Sequence, residues 1–136
     1  MRSFFDSSTL ISALVESEQN HAEAGRAFDD AKDRVASAHS IAECFAILTG
    51  RFRFSPNHAD ELIREGLPEI EWVPLPSDKA LAVVRDAHRQ GIRGGLIYDA
   101  MILAVARHVK ADVIYTGNRG DFVLCAPDLA ARICEP

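Results

Sequence analysis

Short apolar runs alternate with longer helical segments along almost the whole chain, and this order constrains the fold more than any other feature. Arg2 to Phe5 reads as a strand, and helical spacing follows it through Leu10, Ile11 and Leu14. Similar pairs of segments recur down the chain. Strands separated by helices are typical of an α/β domain with a mainly parallel sheet.

The pattern also predicts where the individual elements lie. Predicted strands cover 2–5, 35–38, 70–75 and 112–116, and the tail through Ile133 could add a last one. Predicted helices cover 7–15, 20–33, 39–49, 57–65, 77–90 and 97–110. Ser40 with Glu43, Asn57 and Ser77 are the expected helix caps.

Size and composition describe an ordinary globular protein. A chain of 136 residues, 48% of them hydrophobic, can bury one core, so we expect a single domain over residues 1–136.

Cys44, Cys125 and Cys134 lack the C-x-x-C spacing of a zinc or redox site, and we expect reduced thiols. No stretch reaches the roughly 18 apolar residues of a membrane span. We expect a cytoplasmic protein without membrane association.

The charge balance limits the partners. A net charge of −5 argues against gripping duplex DNA through bulk positive charge. RNA stays open as a partner, because 12 of the 15 basic residues are arginine, which suits bidentate phosphate contacts. Arg51, Arg53 and His58 cluster in sequence, and we take these three as RNA-binding candidates; ordinary solvated surface is the alternative.

Three acidic residues stand alone in apolar sequence. Each is the only formally charged residue of its segment: Asp6 within 3–15, Glu43 within 36–50 and Asp99 within 94–106. A buried carboxylate is costly unless it is paired, protonated or bound to a cation. None of these segments contains a lysine or arginine, so a cation or a distant partner is expected. Taken one at a time, each acid has an alternative structural role: it could cap the N-terminus of a helix, or it could stabilise that helix through its dipole.

The expected topology brings further polar groups to the same place. The carboxyl ends of parallel strands meet at one edge of the sheet, where Asp6 ends the first strand. Asn118 and Asp121 follow the strand near residue 115 and reach that edge too. Oxygen ligands without histidine or thiolate favour magnesium or manganese, which can assist phosphodiester cleavage. The chain has no G-x-x-x-x-G-K-[ST] phosphate loop, so a nuclease is favoured over a kinase or ATPase.

Four segments, in order over residues 4–122, resemble the successive motifs of PIN domains, especially those of VapC toxins. They are 5–11 around Asp6, 40–43 around Glu43, 98–100 around Asp99 and 116–122 around Asp121. The resemblance implies a three-layer α/β/α sandwich with a mainly parallel central sheet. One such motif is weak, whereas four in register are specific.

The resemblance also implies an activity and its partners. It implies a Mg²⁺-dependent endoribonuclease, with Mn²⁺ as a substitute, that cuts RNA as the toxin of a VapBC-type pair. A VapB-like antitoxin whose tail covers the acidic cleft, and a homodimer, are the expected protein partners. By position, the catalytic and metal-binding acids are Asp6, Glu43, Asp99 and Asp121, and the supporting polar residues are Ser8, Thr116 and Asn118.

Other functions remain alternatives or are disfavoured. A PIN-domain nuclease that processes RNA without a toxin role is the first alternative, and a PIN-fold binding module without catalysis is the second. A receiver domain would need an acidic pair after the first strand, but Asp29-Asp30 lies on a predicted helix. A haloacid-dehalogenase-like phosphatase would need a second acid at Ser8.

Overall fold

A fully parallel five-stranded sheet runs through the centre of the molecule. A computed structural model describes all residues, 1–136. The strand order is β3-β2-β1-β4-β5. The strands are β1 Arg2–Phe5, β2 Asp33–Ser37, β3 Ile70–Val73, β4 Val113–Tyr115 and β5 Ile133–Cys134. Every neighbouring pair is parallel, which confirms the α/β class predicted from the alternation of elements.

Seven α-helices connect and follow the strands. They are α1 Ser7–Leu14, α2 His21–Asp30, α3 His39–Gly50, α4 Pro56–Gly66, α5 Ser77–Gln90, α6 Leu96–His108 and α7 Arg119–Cys125. A 3-10 helix, Pro127–Arg132, precedes β5. None of these helices combines the length and apolar character that a membrane span requires.

Strand alternation separates two hydrophobic cores. Successive side chains of a strand point to opposite faces, so Phe4 and Phe5, both fully buried, enter different cores. Phe4 packs in the core that includes α6 residues such as Leu103, while Phe5 shares its core with Leu10 of α1 and Leu48 of α3. The sheet thus lies between two helical layers, as expected.

Three predicted helix caps are wrong. Ser55, and not Asn57, accepts the hydrogen bond from the His58 backbone N–H at the start of α4, with Pro56 at the first helical position. Helix α3 begins at His39, so Ser40 with Glu43 forms no capping box. Ser77 is the first residue of α5, whose cap position is Pro76.

The segment after β4 contains more structure than predicted. Asn118 to Asp121 opens the short helix α7, and the tail then adds β5, the last strand that the sequence allowed for. Helix α7 packs against α6 and buries Phe122 completely. These contacts fix the loop between β4 and α7 beside the end of β1.

The strand order creates a crevice at one edge of the sheet. After β1 the chain first adds β2 and β3 on one side, and then crosses to place β4 on the other side. In parallel sheets, ligands bind outside the carboxyl ends of strands where the order reverses in this way. The reversal here lies between β1 and β4, which carry Asp6 and Thr116 just past their ends.

Candidate active site

Asp6 lies at the junction of β1 and α1, and two hydroxyls fix its carboxylate. Its backbone N–H donates to the Tyr115 carbonyl at 2.9 Å, which ties the end of β1 to β4. Ser8 Oγ donates to Asp6 Oδ2 at 2.8 Å, and Thr116 Oγ1 donates to the same oxygen at 2.9 Å. The carboxylate makes no capping bond to α1, although Asp6 holds the N-cap position. The simple capping role is therefore excluded for Asp6.

The two hydroxyls also organise the backbone after β4. Gly117 N–H donates to Ser8 Oγ at 2.9 Å, and Asn118 N–H donates to Thr116 Oγ1 at 3.0 Å. Thr116 is fully buried, so its hydroxyl has no access to solvent. One hydrogen-bond network therefore joins Asp6 to the loop that leads into α7. It includes Ser8, Thr116 and the backbone of Asn118, the three positions that the family resemblance implied as supporting polar residues.

Glu43 reaches the same region from α3. Its Oε1 is buried and has no hydrogen-bond partner. Burial raises the pKa of Glu43, and the nearby Asp6 carboxylate raises it further, while His39 and the Ser7 hydroxyl oppose the rise. Glu43 lies beyond the first turn of α3, which excludes the predicted capping role. A buried oxygen without a partner is costly, and such a group needs an explanation.

Asp99 lies in the first turn of α6, where a helix dipole favours a negative charge. Its pKa is nevertheless raised to about 6, first by burial and then by Asp6, Asp121 and Glu43. Burial and nearby like charges both disfavour ionisation, so a position at the start of α6 does not keep this pKa low. An interaction with the α6 dipole alone therefore does not explain why a carboxylate occupies this position.

Asp121 and Asn118 border the group from α7. Asp121 occupies the first turn of that helix and is exposed, and its charge raises the pKa of Asp99. Asn118 holds the N-cap position, but its side chain makes no capping bond. We refer to the region around Asp6, Glu43, Asp99 and Asp121 as the acidic cleft.

No basic side chain neutralises the acidic cleft. The seven ion pairs of the structure all join other residues. In the geometry of this structure, no three His, Cys, Asp or Glu side chains are grouped tightly enough to hold a metal ion. The four acids are therefore near enough to repel one another, but they do not converge on a single point. Clustered acids with perturbed pKa values in a crevice are typical of functional sites.

Only one of the three RNA-binding candidates lines a groove beside the acidic cleft. Arg51 lines a groove of about 380 Å³ together with Ser8, Gly117 and Asn118, so it lies beside the acidic cleft. Its guanidinium is 3.4 Å from Glu18 and packs over the Phe52 ring. Arg53 and His58 are exposed but do not line this groove, and the His58 ring packs against Phe54.

Two exposed rings beside the acids were missed by the sequence reasoning. His39 on α3 and Tyr98 on α6 face each other with ring planes only 5° apart and centroids 6.5 Å apart. Tyr98 directly precedes Asp99, and His39 lies one helical turn before Glu43. The spacing to each acid was visible in the sequence, but the pairing of the rings depends on how α3 and α6 pack.

Comparison with known proteins agrees with the α/β fold. A solved structure of the Mycobacterium tuberculosis toxin VapC20, which cleaves the sarcin–ricin loop, superposes with a TM-score of 0.70. The match has 19% sequence identity and covers 85% of this chain and 91% of that one, which establishes the same fold. Among curated proteins no sequence match is found. The family model of the PIN domain matches residues 3–123, nearly the whole chain, and the protein therefore belongs to the PIN-domain family.

Proposed function

We propose that the protein is a magnesium-dependent endoribonuclease and the toxin of a VapBC-type pair. One observation carries the nuclease assignment: acids from four separate segments lie near enough to repel one another at the strand-order reversal, and none of them pairs with a lysine or arginine. The pKa of Asp99, raised to about 6 by burial and three other carboxylates, is the clearest sign of this crowding. Family membership supports a nuclease, and the cleft supplies the chemistry for one.

The residues of the acidic cleft fit a divalent cation. All candidate ligands are oxygens, which magnesium and manganese prefer. Glu43 Oε1 lacks a partner, and both hydrogen bonds to Asp6 go to Oδ2 and neither to Oδ1. Glu43 and Asp6 thus each have an oxygen that a cation could satisfy. Since the carboxylates do not converge in this structure, their side chains must move for a cation to bind.

The chain's own residues then have distinct tasks. Asp6 and Asp99 are the proposed central ligands, with Glu43 and Asp121 at their sides. Ser8 and Thr116 hold Asp6 in one orientation, so that little ordering is needed when the cation and substrate arrive. When bound, the cation would activate water and stabilise the leaving oxygen of the phosphodiester.

RNA is the proposed substrate. The groove lined by Arg51, Ser8 and Asn118 lies beside Asp6, to which Ser8 donates a hydrogen bond, and it offers one guanidinium for a phosphate. The similar toxin VapC20 acts on an RNA loop, and exposed single-stranded loops are the RNA sites that proteins read most readily. Cleavage of cellular RNA would take place in the cytoplasm.

The proposed protein partners are a VapB-like antitoxin and a second copy of the chain. A groove of about 880 Å³ between α3, α4 and β3 is lined mainly by apolar side chains and includes the exposed Ile41 and Phe45. It suits an apolar antitoxin segment, and the proposal is that the tail of the same antitoxin covers the acidic cleft. Leu81 and Val84 of α5 are exposed as well and support a homodimer.

Cleavage by purified protein tests the nuclease assignment. The protein is incubated with labelled total RNA in magnesium, in excess chelator, and in chelator followed by renewed magnesium. We expect cleavage in the first and third conditions only. Cleavage that persists in chelator would contradict metal dependence, and no cleavage in any condition would contradict the nuclease.

The two alternatives are separated by simple observations. A housekeeping RNA-processing enzyme would cleave RNA without arresting growth and without binding the product of the neighbouring gene. A silent binding module would show neither cleavage nor stabilisation by magnesium. Induced expression with growth measurement, and size analysis with the neighbouring gene product, distinguish these from the toxin.

A further inference from the structure

Tyr98 is an exposed aromatic residue next to Asp99 of the acidic cleft. It is 62% exposed, although aromatic side chains are usually buried. It contributes to neither hydrophobic core, and its hydroxyl makes no hydrogen bond in the structure. Packing therefore does not account for its position.

The ring of Tyr98 is oriented by a second aromatic side chain. His39, also exposed, lies nearly parallel to it, with 5° between the planes and 6.5 Å between the centroids. The two rings project from the first turns of α3 and α6, the same helices that carry Glu43 and Asp99. A flat, solvent-accessible aromatic surface thus borders the acidic cleft.

We propose that Tyr98, supported by His39, is a stacking platform for a nucleobase of single-stranded RNA next to the cleaved phosphodiester. The inference rests on the proposed ribonuclease function and adds a positioning residue to it. Aromatic rings hold unpaired bases by stacking, and this contact tolerates any base because every base has a flat face. His39 pairs with the Tyr98 ring, lies one turn before Glu43 on the same face of α3, and acts electrostatically on Glu43. A base on the Tyr98 ring would therefore keep the attached backbone near the carboxylates.

Binding of two matched oligomers tests the platform. Fluorescence anisotropy compares a labelled oligoadenylate with an abasic ribose-phosphate chain of equal length, in calcium, with oligomer integrity checked on a gel. We expect the wild type to prefer the oligoadenylate. Tyr98→Ala should lower this preference about 5- to 150-fold, the range for loss of one base–aromatic stack. Tyr98→Phe should retain it, because the ring and not the hydroxyl makes the contact.

Leu124→Ala is the matched control, because Leu124 is 65% exposed near the end of α7 and should leave the base preference unchanged. A wild type without base preference, or a Tyr98→Ala variant that keeps it, would overturn the platform. A variant that only melts at lower temperature would likewise mean that the ring pair is structural. Magnesium-dependent RNA cleavage by the wild type is measured in parallel. Cleavage without a Tyr98-dependent preference refutes the platform alone, whereas absence of cleavage refutes the nuclease function itself.

Discussion

Neutralising Asp99 should stabilise the metal-free protein while abolishing its activity. Burial and the surrounding carboxylates raise the pKa of Asp99 from 3.8 to about 6. An acid whose pKa is higher in the folded protein stabilises the fold below its unfolded pKa, and this contribution is lost as the pH rises through about 6. At pH 7.5 the ionised Asp99 therefore destabilises the apo protein, and Asp99→Asn removes that cost with little change of shape.

The size of the effect follows from the shift. Each pKa unit corresponds to about 1.4 kcal/mol, so the full shift would be worth about 3 kcal/mol. The Asp99 side chain is only half-buried, and screening by solvent reduces this value to about 1 kcal/mol. For a chain of this length, that difference corresponds to a rise of about 3–4 °C in Tm.

Urea denaturation in excess chelator measures the free energy of unfolding directly. We expect Asp99→Asn to exceed the wild type at pH 7.5, and the difference to vanish near pH 4, where Asp99 is protonated. Magnesium should reverse the order at pH 7.5, because a ligand that binds only the folded state stabilises it. Glu61→Gln on α4 is the control: it removes one exposed charge far from the acidic cleft and should change stability by less than about 0.5 kcal/mol.

A structural role for Asp99 gives the opposite result. If the carboxylate served only the α6 dipole, Asp99→Asn would lower the stability of the apo protein by about 0.3–1 kcal/mol. Such a variant would still cleave RNA. A destabilised but active Asp99→Asn protein would therefore refute the reasoning.

Three further predictions concern other residues. Arg51→Ala and Arg53→Ala should each lower the slope of log binding constant against log salt by about one, whereas unchanged slopes would mean ordinary surface arginines. Thr116→Val removes a buried donor to Asp6 and should cost about 1–3 kcal/mol in urea denaturation while weakening stabilisation by magnesium; wild-type values of both would contradict the network around Asp6. Burial raises the pKa of Cys44 to about 12 and that of Cys125 to about 11, so iodoacetamide at pH 8 should leave both thiols of the native protein unmodified, as mass spectrometry of digests can check.

Much of the fold was predictable because the sequence carries strong local signals. Phe4-Phe5 and residues 113–115 are short apolar runs, and α6 is a long, mostly apolar one, so the type of each element was clear. The helix α7 was missed because seven residues with Gly120 near the start show too little periodicity. Asn57 was chosen as a cap where Ser55 serves, although a serine directly before Pro56 is the stronger signal.

The candidate site was predictable in composition but not in geometry. Asp6, Glu43 and Asp99 were identifiable because a charge alone in apolar sequence is costly. The hydrogen bond from Thr116 to Asp6 depends on β1 lying beside β4, with Phe5 opposite Tyr115, which no local pattern encodes. The pairing of the His39 and Tyr98 rings likewise depends on how α3 and α6 pack across the sheet edge.

The metal site itself can be located by anomalous diffraction from crystals grown with manganese. The account predicts a peak among the carboxylates of Asp6, Glu43 and Asp99, with Asp121 at its border and with the side chains rotated toward it. The same crystals in chelator should lose the peak and keep the hydrogen bonds from Ser8 and Thr116 to Asp6. Manganese bound only elsewhere on the protein, with the acidic cleft empty at a saturating concentration, would contradict the central claim.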